Sequence, residues 1–165
     1  MNKFNNYIII IFEEEMIKIM KREYDFFIAG RARNKDNILD ICDIFDKLDI
    51  SYYCFLKNEQ SYDSYGSNNQ NADEKQNEFE KLNLKSEIVQ KIFNSDMEAE
   101  RNSKNLLLVL PAGKSGHIEA GVAYGLGKKC YAIGEYEATD SLYNIFENIF
   151  SNKEELSKFL ENIYK

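Results

Sequence analysis

One stretch of the chain concentrates the residue types that chemistry needs. Leu110-Pro111-Ala112-Gly113-Lys114-Ser115-Gly116-His117-Ile118-Glu119-Ala120-Gly121 holds the only proline and the only histidine, and six of the eight glycines lie between Gly113 and Gly134. Pro111 restricts φ and stops strand pairing, while Gly113 and Gly116 permit a sharp turn and a close ligand approach. The stretch follows an apolar strand and runs into a helix, whose first unpaired N–H groups favour an anion. Two familiar motifs fail here. Gly113-Lys114-Ser115 ends like a P-loop, but Leu108 occupies the required upstream glycine position. Gly113-x-Ser115 begins like a nucleophile elbow, but His117 stands where its last glycine belongs. Gly121, Gly125 and Gly127 do not form a dinucleotide-binding G-x-G-x-x-G. At helical spacing, Gly121 and Gly125 are expected to let the helix pack closely on a sheet.

What remains is Glu119. With the helix read as Ile118 to Leu126, it sits in the first turn, where the helix dipole favours an ionised carboxylate by about 0.3–1 kcal/mol. An ionised carboxylate beside a tight glycine loop suits attack on an anomeric carbon. The alternative is an acid that only complements the dipole.

The elements that must hold this stretch follow from hydrophobic spacing. Asp25 to Ala29 is a short apolar run ending at Gly30, as expected for a buried parallel strand. Ile38, Ile41, Ile44, Phe45 and Leu48 mark one face of a helix over Lys35 to Leu48. Ile50 to Leu56 reads as the second strand, being β-branched and aromatic. Ile88, Val89, Ile92, Phe93 and Met97 define the next helix face, and Asn105 to Leu110 is the third strand. Lys129 to Ile133 is a fourth strand. Ser141 to Phe146 reads as a helical turn, and Asn148 to Phe150 as a short fifth strand. Ser151-Asn152-Lys153-Glu154 matches a capping box that opens a last helix to about Tyr164. Such alternation predicts a doubly wound, mostly parallel sheet of four to five strands between two helical layers. Ligands bind these sheets at the carboxyl ends of the strands, which selects the loops after Ala29 and after Leu110.

Composition narrows the function. The chain has 165 residues, 44% hydrophobic, enough for one domain with a sizeable core. Its 28 acidic residues against 21 basic ones give a net charge of -7, which disfavours nucleic-acid backbones and anionic membranes. Cys42, Cys54 and Cys130 show no C-x-x-C spacing and read as buried thiols, and neither they nor His117 offers a metal set. No metal or cofactor is expected. Residues 1–24 read as an N-terminal extension. Its apolar run, Tyr7 to Phe12, is too short to span a bilayer and lacks a signal-peptide pattern, so a cytoplasmic protein is expected. Within the domain over residues 25–165, Lys57 to Glu80 is polar and reads as a mobile insertion, either a solvated linker or a lid.

At this point the chain resembles a family. Phe93-Asn94-Ser95-Asp96-Met97, the third strand and LPAGKSGHIEAGVAYGLGKK look like the nucleoside 2-deoxyribosyltransferase-like proteins, which include the 2'-deoxynucleoside 5'-phosphate N-hydrolases. FFIAGRARN resembles their nucleotide-binding start. The likeness runs from about Asp25 to Phe159, and its most specific part is Ser115 to Gly121. It implies a flavodoxin-like, Rossmann-like fold and a nucleoside or nucleotide substrate. It implies that Glu119 is the nucleophile that displaces the base and that Asp96 protonates the leaving base. Gly30, Arg31, Arg33, Asn34, Gly113, Ser115, Gly116 and His117 would face the sugar or its 5'-phosphate. Relatives of this kind are oligomers, and Tyr7 to Phe12 would suit a subunit contact. The transferases carry an extra acid shortly before the glutamate. This chain has Lys114 there instead, and with Arg31 and Arg33 the loops suit an anion, hence a nucleotide.

Alternatives stay open. Arg31, Arg33 and Lys114 could be ordinary surface cations, and Asp96 a solvated helix acid. His117 either orients a substrate or caps the helix. The same fold also serves as a non-catalytic nucleotide sensor. A third reading is a phosphoribohydrolase acting on ribonucleotide monophosphates, because Pro111, Gly113 and Glu119 echo its P-G-G-x-G-T-x-x-E motif while Ala112 departs from it.

Overall fold

The computed structural model describes residues 24–58, 81–136 and 141–164. The expected insertion and the Tyr7 to Phe12 contact lie almost wholly outside these residues. Five strands form one sheet: β1 (Tyr24–Ala29), β2 (Tyr52–Cys54), β3 (Ser103–Val109), β4 (Lys129–Ile133) and β5 (Phe146–Phe150). Their order is β2-β1-β3-β4-β5, and every neighbouring pair is parallel. Among the described residues four α-helices cover the sheet: α1 (Lys35–Lys47), α2 (Glu87–Asn102), α3 (Lys114–Gly125) and α4 (Lys153–Tyr164). This is the expected three-layer α/β/α Rossmann-like arrangement, in the flavodoxin-like strand order.

Side chains alternate across the sheet, so the apolar runs feed two cores. Phe26, Ile28, Leu107, Val109 and Ile133 pack against Ile38, Ile41 and Phe45 of α1 and Leu156 and Leu160 of α4. Phe27, Ala29, Leu106, Leu108 and Ala132 pack against Ala99 of α2 and Ala120 and Ala123 of α3. The first layer is held by large side chains. The second is held largely by alanines, which bring α2 and α3 close to β3. No helix among the described residues is long and apolar enough to cross a membrane.

Several boundaries differ from the expectations, each for a physical reason. β2 is three residues long, because it pairs only with β1 and its ladder ends at Cys54. Ile50 and Leu56 still pack on the core from outside the strand. In α2, Ile88 and Phe93 are exposed, while Ile92, Ala99 and Glu100 are buried. The apolar stripe therefore misplaces the inward face, which in fact carries acids. The cap of α4 lies one residue later than expected: Glu155 N–H donates to Asn152 Oδ1 at 2.9 Å, and Ser151 N–H donates to Glu155 Oε2 at 2.9 Å.

The glycines separate by environment. The positions a Cβ would take at Gly121 and Gly125 are open, so neither glycine serves close packing on the sheet. It is Gly116, Ala120 and Ala123 that face inward. Gly134, by contrast, has φ +118 and would put a Cβ 3.0 Å from Leu110 Cβ and O. Gly121→Ala should therefore stabilise the protein by about 0.5–1 kcal/mol in urea denaturation, through helix propensity alone. Gly134→Ala should cost about 1–3 kcal/mol. The opposite sign at either position would contradict this placement.

Candidate functional site

The loops after β1 and β3 meet at the point where the chain winds first to one side of the sheet and then to the other. The end of β1 is pressed between α1 and β3: a Cβ on Gly30 would lie 2.6 Å from Ile38 Cδ1 and 3.6 Å from Val109 O. A Cβ on Gly116 would lie 2.9 Å from Leu108 Cδ1 and 3.6 Å from Gly30 N. Asn34 ties the loops together, its Nδ2 donating to Leu110 O at 3.1 Å and more weakly to Pro111 O at 3.4 Å. The stem of Arg31 passes over Gly113, with Cγ and Cδ each 3.9 Å from where a Cβ would stand. Gly30, Arg31, Asn34, Gly113 and Gly116 are thus brought together. Arg33, Lys114 and Ser115 are exposed, Arg33 on the turn Ala32–Asn34 and the other two on the first turn of α3.

His117 has a fixed place. Its Nδ1 lies 2.8 Å from Gly113 O, and a carbonyl can only accept, so Nδ1 carries a hydrogen. Nε2 lies 2.9 Å from Tyr143 Oη and, in the neutral ring, accepts from that hydroxyl. The imidazole therefore fastens the first turn of α3 to the turn Ser141–Ile145. It does not cap the free N–H groups.

α3 begins at Lys114, four residues before the expected start, because Gly113 in an extended conformation serves as its N-cap. Glu119 consequently lies in the second turn, beyond the reach of the dipole effect assumed from the sequence. Its environment points the other way. Burial, followed by the charges of Asp96 and Glu100, pushes its pKa up to about 8. The protonated form of Glu119 is therefore favoured at neutral pH, where the sequence suggests an ionised carboxylate.

Asp96 faces it from α2. Tyr53 donates to Asp96 Oδ1 at 2.6 Å, and Asn58 Nδ2 donates in turn to Tyr53 Oη at 2.6 Å and to Ser95 Oγ at 2.9 Å. Burial raises the pKa of Asp96, and the Tyr53 hydroxyl opposes that shift by stabilising the carboxylate. Tyr53 is itself held by a stacked contact with Phe27, ring centroids 5.3 Å apart. The pair is thereby split: Asp96 has a dedicated donor and ionises first, while Glu119 keeps its proton.

A third acid stands one turn from Asp96. Glu100 is 0% exposed, and neither of its carboxyl oxygens has a hydrogen bond of ordinary geometry, the Ala123 N–H giving only weak help. Burial pushes its pKa up to about 7, against the opposing charges of Lys128 and Arg101. Tyr53, Asn58 and Glu100 were not among the residues the sequence singled out. Tyr53 was hidden in a strand, and Asn58 at the edge of the polar segment. The i, i+4 spacing of Asp96 and Glu100 was a usable signal, since Ile92 and Ala99 place the same stripe inward.

A cavity of about 560 Å³ lies behind Tyr53, lined on this side by Tyr53, Asn58 and Ser95. None of the expected site residues lines it. Among the described residues, no group of three or more His, Cys, Asp or Glu side chains could hold a metal ion, and the three cysteines are buried free thiols. Compared with known families and with curated proteins, the chain matches none.

Folding raises the proton affinity of Glu119, so the stability its neutral form contributes is present below about 4.5 and lost as pH rises toward 8. Glu119→Gln should leave stability near that of the wild type at pH 5 and raise it by about 1–3 kcal/mol at pH 9. Urea denaturation at the two pH values measures this, and equal stability at pH 9 would contradict a raised proton affinity at Glu119.

Proposed function

We propose that this protein cleaves the N-glycosidic bond of a nucleoside or nucleoside 5'-monophosphate, or exchanges its base, through Glu119 and Asp96. The observation that carries this reading is the pairing of two half-buried carboxyls with separated proton affinities beside the two loops at the carboxyl end of the sheet. Environments that push two acids apart mark an acid–base assignment.

In the first step Glu119 bonds to C1' as the bond from C1' to the base nitrogen breaks. The electron pair of that bond goes to the nitrogen, which takes the proton of Asp96. In the second step water, or a new base, attacks C1', Asp96 takes its proton, and Glu119 departs as a carboxylate. The reactive form carries one proton on the pair, with Asp96 protonated and Glu119 ionised. The resting form carries the same single proton on Glu119. The two differ only in where the proton sits, so filling the site must move it rather than remove it.

Arg31, whose aliphatic stem passes over Gly113, together with Lys114 and the N-terminus of α3, where Gly113 offers no capping side chain, supports a phosphate at the loop end of the substrate. A specific observation favours a second reading, a nucleotide-binding domain without catalysis: the 560 Å³ cavity is not lined by the carboxyl pair.

Base release from a panel of nucleosides, deoxynucleoside monophosphates and ribonucleotide monophosphates, followed by chromatography, separates these readings. Release should follow a bell-shaped pH profile whose alkaline limb lies near 8. Glu119→Ala should abolish it, and Asp96→Asn should slow it by roughly 10²–10⁴-fold. Undiminished release by Glu119→Ala would remove the mechanism. Binding without release from any substrate would favour the sensor. Calorimetry should show a 5'-monophosphate binding about tenfold more tightly than its nucleoside, with Arg31→Ala erasing the difference. A nucleoside that binds more tightly than its monophosphate would overturn the nucleotide preference.

A further inference from the structure

We propose that the cavity behind Tyr53 is a second ligand site, separate from the carboxyl pair, and that it takes an uncharged planar heteroaromatic with hydrogen-bonding edges, such as a free nucleobase. The proposal does not rest on the reaction assigned to Glu119 and Asp96, because the cavity and its walls stand whatever those acids do.

Side chains of β2 alternate, Tyr52 and Cys54 packing toward α1 and α4 and Tyr53 toward α2 and α3, yet all three line the cavity. A space lined from both faces of one strand lies along that strand's outer edge. Ser95 and Asn102, two turns apart on one face of α2, form the facing wall. The cavity runs from Tyr24, which opens β1 beside Ser103, to Lys57 and Asn58, which follow β2. It therefore extends toward the amino end of the sheet, away from the loops after β1 and β3. Its volume of about 560 Å³ falls within the range of about 300–1,000 Å³ usual for small-molecule sites.

The walls are held in place. Tyr53 stacks on Phe27 with ring centroids 5.3 Å apart and meets Tyr24 edge-on at 5.8 Å. Asn58 is fixed by its donations to Tyr53 Oη at 2.6 Å and to Ser95 Oγ at 2.9 Å. Aromatic and amide groups that are already oriented lose little freedom when a ligand enters. Tyr53 also joins the two sites, since its ring lines the cavity while its hydroxyl donates to Asp96 at 2.6 Å.

Charge selects the class of ligand. Among the described residues, Lys57 and Glu98 are the charged members of the lining. Lys57 is committed: its Nζ donates to Asp46 Oδ2 at 2.9 Å and to the Tyr52 hydroxyl, and lies 5.1 Å from the Tyr52 ring centroid. An anion would meet Glu98 and a lysine already neutralised, and an organic cation would meet a Tyr52 ring already facing an ammonium. What the cavity offers is tyrosine rings for stacking and, at the edges, the donors and acceptors of Ser95 and Asn102. A flat, neutral ring that carries its own donors and acceptors uses both. The loops after β1 and β3 are cationic instead, so the two sites sort ligands by charge.

The test uses the full chain, with Glu119→Ala alongside the wild type so that no turnover intrudes. Adenine, thymine and their nucleosides are titrated by calorimetry. Tyrosine rings labelled with ¹³C report where they bind, Tyr24, Tyr52 and Tyr143 being assigned through single Tyr→Phe variants. At least one base should bind and move the Tyr24 and Tyr52 resonances, leaving Tyr143, which lies against His117, unmoved. Asn102→Leu should weaken that binding about tenfold, and Arg31→Ala should leave it unchanged. Saturable binding by none of the four compounds, or shifts confined to Tyr143, would overturn the site. Binding lost in Arg31→Ala but kept in Asn102→Leu would place the base at the loops and overturn it as well. If adenosine 5'-monophosphate moves Tyr24 and Tyr52 at lower concentration than adenosine does, the choice of an uncharged ligand is overturned. The shifts in the unaltered chain decide the matter should Asn102→Leu fail to fold. Base release is measured separately, so its absence would remove the proposed reaction and leave this site standing.

Discussion

The close approach of α2 and α3 over β3 is the constraint on which the candidate site depends. Alanines at 99, 120 and 123 let the two helices sit low on the sheet, and Ala99 adjoins Glu100 while Ala120 adjoins Glu119. Glu100 is thereby fully buried and Asp96 and Glu119 are half-buried, in surroundings where a carboxyl must find a donor, a cation or a proton. Each acid resolves this differently. Asp96 takes the Tyr53 hydroxyl, Glu100 lies near Lys128, and Glu119 keeps a proton. Three residues of similar chemistry acquire three different states from packing alone.

The loops at the mouth of the site obey a second constraint. β1 and β3 are neighbours, and the chain leaves them toward opposite edges of the sheet, which sets their loops side by side at its carboxyl end. Small residues keep these loops close: Gly116 approaches Gly30, and Asn34 bridges to the carbonyls of Leu110 and Pro111. The cationic side chains lie at this mouth, and the acids lie deeper. The net charge of -7 therefore says little about the ligand, because charge is sorted by depth.

Much of the architecture was legible in the sequence. The runs at Phe26–Ala29, Leu106–Val109 and Cys130–Ile133 are buried on both faces, and such strands announce themselves by unbroken hydrophobicity. β2 was overextended, because the apolar residues around it signal burial but not where its one partner strand stops pairing. The stripe on α2 was misread for a related reason. Hydrophobic periodicity assumes that the inward face is apolar, and here Glu100 is inside while Phe93 is outside. α3 was started too late because Lys114-Ser115-Gly116 has the composition of a loop. It is helical because Gly116 fits where any side chain would meet Leu108.

Taken alone, the sequence determined the fold class, the loops that face each other at the carboxyl end of the sheet, and the candidacy of Asp96 and Glu119. The fold class, the loops and Glu119 follow from local pattern: apolar runs, helical spacing, and the crowding of glycine around a lone proline; Asp96 rests on the resemblance of its segment alone. Only the tertiary structure decided the protonation of those acids, the presence of Glu100 beside them, and the engagement of His117 with Tyr143. A proton's affinity depends on the charges and donors nearby in space. Tyr53, Asp96, Glu100, Glu119 and Lys128 come from three different elements and the turn before β4, and no spacing along the chain records that they meet.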